Sequence, residues 1–327
     1  VALVRANHIH ALPTVQPSVA ASGDLCSPDA PSNTTCWNIR KVGTDRVWRD
    51  FGATGRGIVV ANIDTGVRFD HPALLAQYRG YRAGSPPYHN YNWFDPKLLV
   101  FAPSDQNGHG THTMGTMVAA GKGNAAQPSV GMAPEARWIA AQGCASYACS
   151  DLDLIDSAQW MLAPTALNGT NPRPDLRPMI INNSWADMGG NDWYAGYVAA
   201  WRAAGIFPVF AAGNSGSACG SIGSPSDYTD VFGVGATDER DIATWFSARG
   251  PTVDGRVKPD VVAPGGGEGI LSTSNGDGLD YRTLQGTSMA TPLVAGLVAL
   301  IWSANPGLVG MGGAHVVCLL AFALDLA

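Results

Sequence analysis

Charge is scarce in this chain. Only 14% of its 327 residues are Asp, Glu, Lys or Arg, and they sum to −6 with His neutral. So thin and slightly acidic a charge set excludes the basic footprint that nucleic acid or anionic lipid demands. With 46% of residues hydrophobic, disorder is excluded as well. None of the six cysteines forms a C-x-x-C pair, so zinc ribbons and thioredoxin-like redox centres are not encoded. No Gly-Lys-Ser/Thr follows Gly265-Gly266-Gly267-Glu268-Gly269, which is therefore a turn and not a phosphate loop. His109 and His112 lack the Glu of a zinc-binding H-E-x-x-H. No apolar run looks long enough for a bilayer span; the longest lie near Leu293 and Val316. The chain opens at Val1, without methionine or signal peptide, as a processed product or a fragment would.

What is abundant points to shaped loops on a rigid frame. Forty glycines and 22 prolines imply many tight turns. Residues 1–37 have little periodicity and read as an N-terminal arm and linker. From residue 38 the pattern changes, and Thr44–Phe51 is expected to be a short helix closed by Gly52. Gly57–Ile63 is apolar nearly throughout, as buried parallel strands are. Further strands are expected at Trp138–Ala141, Met179–Asn183, Ile206–Ala211, Val231–Ala236 and Val261–Val262. Helices are expected between them, at Thr111–Ala120, Leu152–Leu162, Trp193–Ala204 and in the run after Ser288. Such alternation predicts an α/β domain with a doubly wound, mostly parallel sheet, whose chemistry gathers at the strands' carboxyl ends. The short loops Cys26–Cys36 and Cys144–Cys149 suit two local disulfides in an exported protein.

Four stretches carry chemistry. Asp64 ends a buried strand in Ile63-Asp64-Thr65-Gly66, and His109 opens a helix in Asn107-Gly108-His109-Gly110. Ser288, in Gly286-Thr287-Ser288-Met289-Ala290-Thr291-Pro292, opens the last apolar helix, with Pro292 expected inside its first turn. A serine at a helix start is more often a plain N-cap. Here a carboxylate able to orient an imidazole, and an imidazole able to take a serine proton, precede it in the order Asp, His, Ser, which is that of subtilisin. Ala211-Ala212-Gly213-Asn214 ends another strand with an amide that would join the Ser288 N–H in an oxyanion hole. Any one of these is common; the four together are specific.

From about Asn38 to Ala304 the sequence resembles the subtilisin-like serine proteases. Within them it is most similar to the bacillopeptidase F-like group, through Gly131-Met132-Ala133-Pro134-Glu135-Ala136-Arg137, Leu167-Asn168-Gly169-Thr170-Asn171-Pro172, Ile181-Asn182-Asn183-Ser184-Trp185 and Ser247-Ala248-Arg249-Gly250-Pro251. The resemblance implies that Asp64, His109 and Ser288 form the triad and that Asn214 donates to the oxyanion. It also implies a substrate cleft walled by Ser184-Trp185-Ala186 on one side and Ala211-Ala212-Gly213 on the other, pairing with an extended peptide. Ala186 departs from the glycine usual there.

The implied activity is secreted endopeptidase, acting on proteins or peptides with no catalytic cofactor. The rival is a catalytically inactive subtilase domain acting as a binding module; an esterase is disfavoured because no G-x-S-x-G surrounds Ser288. Members of the family commonly hold structural calcium, but Ala73 replaces the usual early carboxylate and 121–130 has no acidic residue, so the metal ligands are unknown. Residues 1–16 resemble the end of an inhibitory propeptide, removed by self-cleavage before Val42. Ala314–Ala327 is expected to be a helix, apolar nearly all round, in a peptidase domain (38–327) truncated at its C-terminus.

Overall fold

The computed structural model describes residues 6–12, 16–17, 26, 35–121, 128–146, 148–278 and 280–311. Its centre is a seven-stranded sheet. The strands lie side by side in the order Val261–Pro264, Phe232–Thr237, Phe207–Ala211, Ile180–Asn183, Val59–Ile63, Arg137–Ala141, Trp93–Phe94. Every pairing is parallel. The chain enters at Val59–Ile63, crosses to the Trp93–Phe94 edge, fills the gap with Arg137–Ala141, then returns to the other side of Val59–Ile63 and builds outward strand by strand to Val261–Pro264. This makes a doubly wound sheet whose winding reverses beside the Asp64 strand, where α/β proteins place their sites.

Alternation along each strand divides the core in two. Val60, Trp138, Ala140, Ile180, Phe207 and Val209 face one layer, which includes Met114, Met117, Leu293, Val298 and Trp302. Ala61, Ile63, Ile139, Ile181 and Phe210 face the other, with Leu154, Ala158, Met161, Val198 and Trp201. Period-two side chains against 3.6-period helices produce this sandwich. The helices His109–Val118 and Thr287–Ala304 pack against each other in the first layer. Asp151–Leu162 and Ala195–Ala203 pack together in the second. Thr44–Phe51 is helical and ends at Gly52 in the left-handed region (φ 63°), as expected.

Two expectations need correction. The helix bearing Ser288 begins at Thr287, so Pro292 is its sixth residue and lies in the second turn. An internal proline costs about 3 kcal/mol. Burying Leu293, Val294, Val298, Leu300 and Trp302, all at most 4% exposed, contributes roughly 1.5–3 kcal/mol each, so burial wins. The same 18-residue helix is also long and apolar enough by composition to cross a bilayer, although the sequence reading found no such run; 78% of it is buried in the fold.

Small antiparallel sheets flank the carboxyl end of the main one. Ile9–Ala11, from the arm, pairs with Ala148–Ser150, which pairs in turn with Cys144–Ala145. Gln16–Pro17 pairs with Tyr281–Gln285, itself paired with Ile270–Thr273. Disulfides join Cys26 to Cys36 and Cys144 to Cys149, as the loop lengths suggested. Cys219 is free and exposed. The expected helix Ala314–Ala327, with Cys318, lies outside the described residues.

Candidate active site

Asp64 is the first residue after its strand and is fully buried. Its Oδ1 accepts from His109 Nδ1 at 2.7 Å and from the Thr65 N–H at 2.7 Å. His109 is the first residue of its helix, after Gly108 in the left-handed region (φ 89°). The helix start presses on the Asp64 turn so closely that a Cβ at Gly110 would lie 2.1 Å from the Gly66 carbonyl oxygen. Glycine is required there.

A residue not singled out from the sequence holds this helix in place. Asp105 Oδ1 accepts from Gly108 N (2.7 Å), Asn107 N (3.0 Å) and Thr65 Oγ1 (2.9 Å). Its Oδ2 accepts from Thr111 N (2.9 Å) and Thr111 Oγ1 (2.7 Å). Gly110 N donates to Thr65 Oγ1 at 2.9 Å, and His109 N to Asn107 Oδ1 at 3.1 Å, so the helix's first N–H groups are all satisfied. Burial pushes the Asp105 carboxyl above the usual range, against the pull of Gly108 and Thr111. The legible signal was an aspartate just ahead of a helix start.

Ser288 is the second residue of its helix and is buried. Its Oγ donates to the Ser184 carbonyl at 3.0 Å, while His109 Nε2 is buried without a protein partner among the described residues. Thus Asp64 and His109 are hydrogen-bonded, and Ser288 is not bonded to His109. Ser184 also explains how the helix tolerates its proline. Pro292 has no N–H for the carbonyl four residues back, which belongs to Ser288; Ser184 Oγ donates to that carbonyl at 3.0 Å and replaces the missing bond. Asn182 Nδ2 donates to Ser184 Oγ at 3.0 Å and fixes it.

Asn214 is tied to the serine turn. Its Oδ1 accepts from Thr287 N and Thr287 Oγ1, both at 2.9 Å, which orients the amide. A Cβ at Gly286 would stand 3.1 Å from Asn214 Nδ2, so the glycine gives the amide room.

The cleft beside these groups holds about 600 Å³, and Ala186, Gly213 and Asn214 line it. The side chains of the other expected wall residues are buried, which leaves backbone pairing with a peptide as their expected role. The Trp185 ring is buried and packs edge-on against Tyr194 and Phe210, at 5.2 and 5.3 Å. Ala211 and Ala212 are fully buried, Ala211 within the sheet opposite Val234. The Ala186 methyl is accommodated because Gly223 faces it; a Cβ on Gly223 would come within 3.0 Å of it. The cleft is not empty of chain: the arm residues His10 and Leu12 line it too.

His112, the packed neighbour of His109, shares its Nε2–H between the carbonyls of Ile270 (2.9 Å) and Arg282 (3.1 Å). Burial, and next the Arg282 charge, lower its pKa to about 3. Among the described residues, no three His, Cys, Asp or Glu side chains are grouped so as to hold a metal ion.

A buried carboxylate on an imidazole, with a serine and an anchored amide at a helix start on a doubly wound parallel sheet, is a constellation that serine-nucleophile hydrolases use. The chain belongs to the subtilase family, whose description matches residues 55–316. It is 40% identical to Bacillopeptidase F of Bacillus subtilis over 280 residues, 83% of this chain and 19% of that protein. It is 34% identical to Serine protease AprX of the same organism, over 78% of this chain and 59% of that one. To Subtilisin Savinase of Lederbergia lenta it is 31% identical, over 83% of this chain and 85% of that protein. The chain thus spans about a fifth of the first relative and about three fifths of the second.

Proposed function

We propose that this chain is an exported serine endopeptidase that cleaves peptide bonds through an acyl-enzyme on Ser288. The observation that carries the reading is the Asp64–His109 pair: Nδ1 is committed to the carboxylate and the buried Nε2 is left without a protein partner to receive a proton. In this reading Ser288 Oγ turns from Ser184 to His109, gives its proton to Nε2 and attacks the scissile carbonyl carbon. The carbonyl electron pair moves onto oxygen, facing the Ser288 N–H and the Asn214 amide. Collapse expels the amine, which takes the proton from His109. Water then gives a proton to His109 and attacks the ester, and Ser288 leaves with that proton. Asp64 stays ionised and holds the ring. Catalytic hydrogen bonds are often unmade until substrate binds, which accounts for the resting Ser288–Ser184 bond.

The same bond is the one observation on the side of the rival reading, a domain that binds peptides without cutting them. The two disulfides support export. The arm supports a precursor: Ile9–Ala11 pairs with Ala148–Ser150, Leu12 lines the cleft, and Gln16–Pro17 pairs with the strand that leads into the serine turn, as a peptide crossing the site would. One experiment tests both parts. The full chain should turn over peptide substrates and acquire a new N-terminus downstream of Leu12. Ser288→Ala should lose turnover by about 10⁴-fold or more and keep its arm. Near-parental kinetics in Ser288→Ala would refute the mechanism.

A further inference from the structure

The arm shows how a side chain is received away from the scissile bond. His10 pairs through its backbone with Cys149, and Leu12, two residues on, lines the cleft with Gly213 and Asn214. The segment is held by more than its three strand residues: Asp151 N donates to His8 O at 3.0 Å and Leu152 N to Asn7 Oδ1 at 3.2 Å. Its one deeply inserted polar side chain is the His10 ring, 8% exposed. His10 Nε2 lies 2.5 Å from Asp151 Oδ1, and Nδ1 lies 3.2 Å from Asp187 Oδ2. The ring stacks on Trp193, centroids 5.5 Å apart and planes within 6°.

This is a built receptor and not a chance contact. Asp151, 3% exposed, opens the helix that follows the Cys149 strand; Asp187 and Trp193 come from the segment after the Ser184 turn. Two carboxylates, one at each edge of the ring, place a negative field there that suits a cationic side chain. A flat aromatic wall parallel to it favours a planar cation over an aliphatic or anionic side chain. Asn191 Nδ2 donates to the same Asp187 oxygen at 3.2 Å and fixes it in place.

We propose that Asp151, Asp187 and Trp193 form a specificity subsite that selects a planar cationic side chain, Arg or His, at the substrate position that pairs with Cys149. The arm's His10 fills it in place of a substrate residue. The proposal rests on the endopeptidase reading, with the arm seated as a substrate strand. Asp151 and Asp187 supply the charge, Trp193 the plane, and the Ala148–Ser150 strand fixes which residue enters. Arg and His should therefore be preferred to Lys, and all three to norleucine or Glu.

The test uses the full chain and internally quenched peptides that carry Arg, His, Lys, norleucine or Glu at each position ahead of the cleaved bond. One position should favour Arg over norleucine by about tenfold or more in kcat/KM. Asp151→Asn with Asp187→Asn should bring that ratio close to one, while turnover of the norleucine peptide stays within about twofold. A ratio near one in the parent at every position, or one that survives the double substitution, would overturn the subsite. A second measurement needs no turnover. In the Ser288→Ala background, His10→Arg should melt near the parent and His10→Ala lower, and the paired Asp→Asn changes should erase the difference. If no peptide is cut yet this melting pattern holds, the endopeptidase reading fails and the pocket stands as a cation receptor. Equal melting of His10→Ala and His10→Arg would overturn it in either case.

Discussion

At the scale of single residues, the site works by committing polar atoms in advance. Asn214 is anchored through its oxygen to Thr287, so in the proposed reaction its amide is pre-oriented, and an oriented donor acts mainly on the transition state. Asn214→Ala should lower kcat by about 10²–10³-fold with a small change in KM, measured by steady-state peptide hydrolysis. A loss confined to KM would assign the amide to ground-state binding instead. His112 gives a different test. Its folded pKa, about 3, lies below the ordinary 6.5, so between these values the unfolded chain binds a proton there that the folded chain does not. Stability therefore falls as pH drops through that window, and this contribution levels off below the folded value. His112→Asn should be less stable at neutral pH but lose less between pH 6.5 and 3, as read by denaturant titrations across that range. An unchanged acid slope would show that His112 is not the group responsible. Residues of this kind were only partly legible. Asp64, His109, Ser288 and Asn214 each sit in a glycine-bounded turn at an element end, and such turns stand out in sequence. Asp105 does not, because its five hydrogen bonds go to backbone and hydroxyl groups that only the fold brings to it.

At the scale of elements, apolar runs bounded by glycine announced themselves and short pieces did not. Six of the seven sheet strands and all four long helices could be read from hydrophobic pattern, with ends displaced by a residue or two. Trp93–Phe94 is too short to carry a period, and it is a strand only because Arg137–Ala141 offers it an edge. The hairpin Ile270–Thr273 with Tyr281–Gln285 was missed because its polar residues are chosen by contacts with the His109 helix. Ser272 Oγ and Thr273 Oγ1 each donate to a carbonyl of that helix at 2.8 Å. The Ser288 helix shows why position within an element matters. Its proline deprives the Ser288 carbonyl of a partner, and Ser184 supplies one. Ser184→Ala should therefore leave a buried carbonyl unsatisfied and cost about 1–3 kcal/mol, visible as a lower denaturation midpoint. Ser184→Thr, which keeps the hydroxyl, should lose less. Equal stability of Ser184→Ala and the parent would mean that the carbonyl finds another partner.

At the scale of the whole molecule, function comes from where two windings of one sheet meet. Asp64, Ser184 and Asn214 each follow a different strand's carboxyl end, and His109 and Ser288 open two helices packed on one face of that sheet. This convergence was legible, since an α/β chain has few other places to put such turns. The seating of the arm was not. It depends on edge pairing with Ala148–Ser150 and Leu284–Gln285, which any extended segment of suitable register satisfies. The central claim is that the whole fold assembles one activated serine. The most direct measurement is labelling by a fluorophosphonate, followed by peptide mapping of the modified residue. A single adduct on Ser288, lost in His109→Ala although that variant keeps the parental circular dichroism, is the predicted result. An unlabelled Ser288 in the folded parent after release of its arm, or equal labelling in His109→Ala, would contradict it.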